Sequence, residues 1–207
     1  MLVEVLEERY SNTYFVGDET SFVVIDPSVD IKNLLYIIRK KFPSSKLVGI
    51  ILTHGHYDHF ATIDKLQEKY ACNVYISEND YPKLTDIFSS CGGFFGLNIL
   101  PTVKNVIKVK NEQILKFDSF SAKIINTPGH TNGSICILIN NMLFTGDTLF
   151  NNSVGRTDLP TGNVIKLNES IKKILKMNRE LVVYPGHGES TTIDYELKNN
   201  YYYQQIK

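Results

Sequence analysis

The sequence predicts an α/β fold in which two sheets pack together with helices outside. Three observations carry this. Short runs of strand character alternate with amphipathic helical stretches. Each half of the chain opens on a meander and closes on helix–strand units. The run Leu47 to Leu52 is apolar throughout, as strands buried on both faces are.

Taken in order, Leu2 to Leu6 alternates in part and reads as a first strand. Thr13 to Val16 and Phe22 to Ile25 follow, separated by the turn signal Gly17-Asp18-Glu19. Ile31, Leu34, Leu35, Ile38 and Phe42 fall at helical spacing, with Asp30 as N-cap and Pro43 just past the end. After the Leu47 to Leu52 strand, a helix is expected over Ala61 to Tyr70, a strand over Asn73 to Ile76 and a short helical piece over Asn79 to Asp86. Ile87 to Pro101 is apolar and Gly-rich and has no period. Its aromatics Phe88, Phe94 and Phe95 are candidates for a wall over a site, or for plain packing. Strands resume at Val106 to Val109, Ile114 to Phe117, Ala122 to Asn126, Ile135 to Ile139 and Met142 to Thr145. A helix then places Val164, Leu167, Ile171, Ile174 and Leu175 on one face. Leu181 to Tyr184 is a last strand, and Ile193 to Gln205 a C-terminal helix.

A chain of 207 residues suits one domain spanning 1–207, with core enough to do without disulfides. Lys plus Arg and Asp plus Glu each number 22, and no basic run appears, so nucleic acid is not an expected partner. The acidic start, Glu4, Glu7 and Glu8, is unlike a signal peptide, and no apolar stretch reaches the ~20 residues of a membrane span. A cytoplasmic protein without a membrane partner is expected; the oligomeric state is left open. Cys72, Cys91 and Cys136 are odd in number and widely spaced, which predicts buried free thiols.

Four segments share one pattern, an apolar strand followed by a Gly-containing loop with His or Asp. They are Thr53-His54-Gly55-His56-Tyr57-Asp58-His59, Thr127-Pro128-Gly129-His130, Thr145-Gly146-Asp147 and Tyr184-Pro185-Gly186-His187. All 5 histidines of the chain lie in these loops. A solvated loop has no reason to gather them, whereas strand ends are where a rigid scaffold carries functional groups. Imidazole and carboxylate suit zinc, and also iron or manganese; a set without thiolate and with an open position marks a catalytic site. The H-x-H-x-D-H loop cannot put four groups on one ion without strain, so two divalent ions are expected, zinc first, with Asp147 able to bridge. Asp58 and Asp147 are also the candidate catalytic carboxylates. Two ions about 3.5–4 Å apart polarise an oxygen under attack and activate water as hydroxide.

These loops resemble the motifs of the metallo-β-lactamase superfamily, in the family's order, from Thr53 to Gly188. The resemblance implies a four-layer αβ/βα sandwich of two mixed sheets with the metals at the sheet edge. It implies that His54, His56 and His130 hold one metal, that Asp58, His59 and His187 hold the other, and that Asp147 bridges. Gly155-Arg156-Thr157-Asp158-Leu159-Pro160 is similar to a loop of the small glyoxalase II-like (hydroxyacylglutathione hydrolase-like) enzymes and of persulfide dioxygenases. Arg156 and Asp158 are expected to pair behind the site. Full-length glyoxalase II has a C-terminal helical domain that helps bind glutathione, and few residues follow His187 here, so the expected substrate widens to small thioesters.

The expected function is therefore metal-dependent hydrolysis of a small-molecule thioester. The main rival is an oxygenase holding one iron through His54, His130 and Asp147, as persulfide dioxygenases of this fold do. A phosphodiesterase or nuclease is a second rival, which the neutral charge and lack of an inserted domain disfavour. A flavin-linked diiron reductase is disfavoured by His56, where that group usually has glutamate. A non-catalytic module is disfavoured because no ligand is missing.

Overall fold

The computed structural model describes residues 1–8 and 10–207. The first half builds β1 (Leu2–Glu7), β2 (Asn12–Gly17), β3 (Ser21–Ile25), α1 (Ile31–Lys41), β4 (Lys46–Ile51), α2 (Ile63–Lys69), β5 (Val74–Ser77) and β6 (Val106–Val109). The second builds β7 (Ile114–Lys116), β8 (Ser121–Asn126), β9 (Ile135–Ile139), β10 (Met142–Gly146), the hairpin β11 (Leu149–Phe150) and β12 (Ser153–Val154), α3 (Val164–Ile174), β13 (Val182–Pro185), β14 (Thr191–Thr192), α4 (Ile193–Asn199) and α5 (Tyr201–Ile206). Among the described residues these form two six-stranded sheets, ordered β1-β2-β3-β4-β5-β6 and β14-β13-β10-β9-β8-β7. Both are mixed: β3, β4, β5 and β6 run parallel, as do β10 and β13, while the other pairings are antiparallel.

Strand alternation divides the apolar side chains among three layers of core. Val23, Ile25 and Ile51 meet Ile124, Ile137 and Phe144 between the sheets. Their neighbours Phe22, Val24 and Ile50 face away, against Leu34, Ile38, Ile63 and Leu66 of the first two helices. On the other side Ile125 and Leu143 meet Leu167, Ile171 and Ile193. This is the expected four-layer sandwich. Strands buried on both faces carry no polar alternation, which is why they read as plain apolar runs.

Local signals account for the helix ends. Asp30 accepts from Lys32 N at the start of α1, and Asn163 accepts from Lys166 N at the start of α3. Each such cap is worth about 1 kcal/mol. Val164, expected on the buried face, is 50% exposed; it is the first helical residue, before α3 settles on the sheet. The single C-terminal helix expected over Ile193 to Gln205 is two helices. Asn200 leaves helical geometry and its Oδ1 caps Tyr203 N, so the side chain competes with the continuing backbone ladder. Asn79 to Asp86 shortens to a 3₁₀ turn at Tyr81–Leu84, and the unassigned segment holds another at Gly92–Phe95. The three cysteines are buried free thiols. No helix among the described residues is long and apolar enough to cross a membrane.

Candidate metal centre

Topology explains why the loops converge. Strands β3 and β4 are parallel, so their C-terminal ends, carrying Asp26 and the His54–His59 loop, lie on one edge. Strands β8 and β10 both oppose β9, and β13 parallels β10, so His130, Asp147 and His187 leave the second sheet together. The edges are tied by Ile135 N donating to Thr53 O at 2.9 Å and Asn12 N donating to Gly186 O at 2.7 Å. Gly146 has a φ of +48°, and a Cβ there would overlap the Thr53 side chain. A Cβ on Gly186 would strike Asp147 Oδ1. Both glycines thus let the backbone approach where ligands gather.

The structure brings together all seven predicted residues. Asp147 stands at the centre: its Oδ1 is 3.3 Å from His59 Nε2, and its Oδ2 is 3.5 Å from His130 Nε2 and 3.4 Å from His187 Nε2. Asp58 Oδ2 lies 3.5 Å from His187 Nε2 and 3.8 Å from His59 Nε2. His56 Nδ1 and His130 Nε2 are 2.9 Å apart, a separation suited to one shared proton or one shared cation. Ligand atoms of His54, His56 and His130 lie within 4.8 Å of one another, as do those of His54, His59 and Asp147 and those of Asp58, His59 and His187. Around a tetrahedral zinc, bond lengths of about 2.0–2.1 Å put ligand atoms about 3.3 Å apart.

Among the described residues His54 Nε2, His56 Nε2, His59 Nε2 and Asp147 Oδ1 are buried without a hydrogen-bond partner. Such orphans are rare in folded chains and demand a reason. A divalent cation at the Nε2 atoms of His54 and His59 and at Asp147 Oδ1 would supply it there, and the His and Asp donors fit zinc or iron.

Residues behind the ligands fix their tautomers. Asp26 Oδ2 accepts from His59 Nδ1 at 2.8 Å and from the Thr53 hydroxyl at 2.6 Å, while Oδ1 accepts from Thr53 N at 2.8 Å. With its proton given to Asp26, Thr53 Oγ1 accepts from His54 Nδ1 at 3.1 Å. His130 Nδ1 donates to the Arg156 carbonyl at 2.8 Å. In each ring the proton is drawn to Nδ1, and Nε2 keeps the lone pair a metal needs. Asp80, wholly buried, accepts from Gly55 N, Thr131 Oγ1 and Gly133 N at 2.8, 2.7 and 3.0 Å, tying the ligand loops of the two sheets together. Sequence reasoning missed Asp26, Asp80 and the Arg156 carbonyl. Asp26 alone had a signal, an aspartate directly after the apolar run Phe22 to Ile25. Replacing Asp26 with asparagine should weaken metal binding about 10–100-fold. Competition against a chromophoric chelator measures this, and unchanged affinity would show that Asp26 does not hold the two rings.

Charge is divided unevenly. Burial, reinforced by neighbouring histidines, holds His54 well below the ordinary histidine range and His56 at about 3. Burial also pulls on His59, but the carboxylates of Asp147, Asp26 and Asp58 overcome it and hold the ring well above that range. His187 is raised to about 9, its bonds to Asp147 and Asp58 outweighing burial. Burial pushes Asp58 and Asp147 up, yet His59 and His187 draw both below the usual carboxylate range. Cation binding to such a set displaces protons.

Arg156 and Asp158 do pair, through Nε–Oδ1 at 2.6 Å and Nη2–Oδ2 at 2.7 Å. The pair stands at the mouth of the site, not behind it: the side chains are 63% and 67% exposed, and Arg156 lines the cleft. That cleft, about 460 Å³, has Asp58, Asp147 and His187 at its floor and Phe94, Phe150 and Val154 among its walls. Of the three aromatics that are candidates for a wall or for plain packing, Phe94 and Phe95 line this cleft and Phe88 does not. Phe95 packs edge-on and tilted against Tyr10 and Tyr57, whereas Phe94 is 78% exposed.

Comparison with known proteins agrees with this geometry. Residues 6–187 match the Metallo-beta-lactamase superfamily. The chain is 33% identical over 187 residues to the hydroxyacylglutathione hydrolase GloC of Haemophilus influenzae, covering 88% of this chain and 87% of that one. It superposes on the crystal structure of the B3 metallo-beta-lactamase BLEG-1 with a TM-score of 0.91 at 29% identity, covering 98% and 99% of the two chains. The di-iron-bound form of TTHA1623 gives a TM-score of 0.83 at 29% identity, covering 98% and 100%.

Proposed function

Because the chain belongs to the metallo-beta-lactamase superfamily, we propose that it is a metal-dependent hydrolase of small thioesters. The hydrolytic part rests on one observation, the convergence of five histidines and two aspartates with buried, unpartnered ligand atoms. The thioester part is supported by the 33% identity to a hydroxyacylglutathione hydrolase.

His54, His56 and His130 would hold one divalent ion, Asp58, His59 and His187 the second, and Asp147 would face both. Zinc fits this donor set; iron, found in the di-iron relative, is the competitor. When bound, such a pair polarises an acyl oxygen and acidifies a water, the two tasks that thioester hydrolysis requires. The chain's own residues do the rest. Asp26 and the Arg156 carbonyl hold the rings of His59 and His130 in one orientation. Asp58, partly exposed to the cleft, presents a carboxylate beside the reacting position. Phe94, Phe150 and Val154 offer apolar surface for the acyl group to pack against. Replacing Phe94 and Phe95 together by alanine should raise KM several-fold while metal content holds, because it removes a wall and no ligand. Unchanged kinetics would reject a role for that wall in substrate binding.

The test is metal analysis joined to a substrate panel. Zinc, iron and manganese per chain are measured, and lactoylglutathione is assayed beside simpler thioesters, a β-lactam and a persulfide. Metal-dependent thioester cleavage is expected. One iron per chain, with oxygen uptake on the persulfide and no thioester cleavage, overturns the proposal.

A further inference from the structure

An apolar groove of about 790 Å³ adjoins the metal cleft and shares three of its walls, Cys91, Phe94 and Leu159. Its far side is built by Ile87, Phe88 and Pro160. Phe88 and Phe94 leave 77% and 78% of their surface exposed. Two aromatic rings held in water beside a reactive cleft, and continuous with it, are the mark of a ligand surface more than of a core.

The charges around the groove say what that ligand lacks. Its lining includes two carboxylates and, among the described residues, no lysine or arginine. Asp86 accepts from Phe88 N and Ser89 N, and Asp158 is held by Arg156. Arg156, the cation at the cleft mouth, is thereby engaged on two of its nitrogens. Lys83 is buried, its Nζ spent on Ser89 O and Thr161 Oγ1. A substrate arm bearing carboxylates therefore meets acidic neighbours and engaged cations, whereas a hydrocarbon arm meets exposed rings.

We infer that this groove receives an alkyl or aryl arm of the thioester, so that the preferred substrates are lipophilic thioesters and not those of an anionic peptide thiol. The inference rests on the thioester reading and narrows it. The arm enters past Phe94 and lies along Phe88, while the scissile carbonyl stays at the cleft floor.

The test uses ligands that cannot be cleaved, so its outcome is separate from that of the hydrolysis assay. Zinc-loaded protein is titrated calorimetrically with S-alkyl-N-acetylcysteamine thioethers from ethyl to octyl, and with an octyl analogue ending in a carboxylate. Burying a methylene strengthens binding by about three- to fourfold, so burial of only three of the six added methylenes makes the octyl ligand about 30-fold tighter than the ethyl one, the smallest gain expected. The carboxylate-ended analogue should lose most of that gain. Phe88→Ala, at an exposed position, should cost the octyl ligand about tenfold in affinity with metal content unchanged. Equal affinity along the series, or undiminished octyl binding in Phe88→Ala, overturns the inference whatever the hydrolysis assay returns.

Discussion

Asp147→Asn should leave a folded protein that has lost metal and nearly all turnover. In the wild-type chain both carboxylate oxygens face imidazoles, Oδ1 that of His59 at 3.3 Å and Oδ2 those of His130 and His187 at 3.5 and 3.4 Å. Asparagine keeps the shape but replaces one oxygen with an amide nitrogen that has no lone pair to offer a cation. It also removes a buried negative charge that would oppose the two proposed cations. Several kcal/mol of transition-state stabilisation depend on such ions, which corresponds to a fall in kcat of about 10³-fold or more. Metal per chain after dialysis, measured beside turnover, checks both halves. A variant that keeps its metal and its full activity would remove Asp147 from the bridging role.

The second large effect is expected away from the metals. Asp80→Ala should destabilise the fold by about 3–5 kcal/mol, since it leaves two or three buried donors unpaired at about 1–3 kcal/mol each. The donors are Gly55 N, Thr131 Oγ1 and Gly133 N, from the two loops that carry His54, His56 and His130. Burial pushes the Asp80 carboxyl up despite these bonds, so relief of that desolvation offsets part of the loss. For a chain of this size the melting temperature should drop by on the order of 10 °C. Asp80→Asn, which retains one acceptor oxygen, should lose less. A thermal melt in which alanine costs nothing would show that the loops find other partners.

The candidate ligands were legible in the sequence because histidine is scarce here and every copy follows a strand end. The layers were legible because Leu47 to Leu52 and its like carry no polar alternation. What stayed hidden is mostly what no local pattern encodes. Asp80 sits in a short turn and owes its role to donors 25, 51 and 53 residues away. Arg156 orients His130 through its backbone carbonyl, so its side chain, which suggested an ion pair behind the site, pointed to the wrong feature. The strands β11, β12 and β14 are two residues each, too short for a period to show. Phe94 and Phe95 are adjacent and identical in chemistry; only the packing of Tyr10 and Tyr57 on one of them separates wall from anchor.

His54, His56, Asp58 and His59 follow β4, while His130, Asp147 and His187 follow β8, β10 and β13. Each candidate ligand trio draws on both sheets. A bound ion is therefore a rivet through the sandwich as well as a reagent, and tearing the halves apart means expelling it. Free metal at 100 times its dissociation constant would add about 2.7 kcal/mol to the resistance to unfolding. Durability of this protein is then set partly by its surroundings, rising and falling with the supply of the ion it uses.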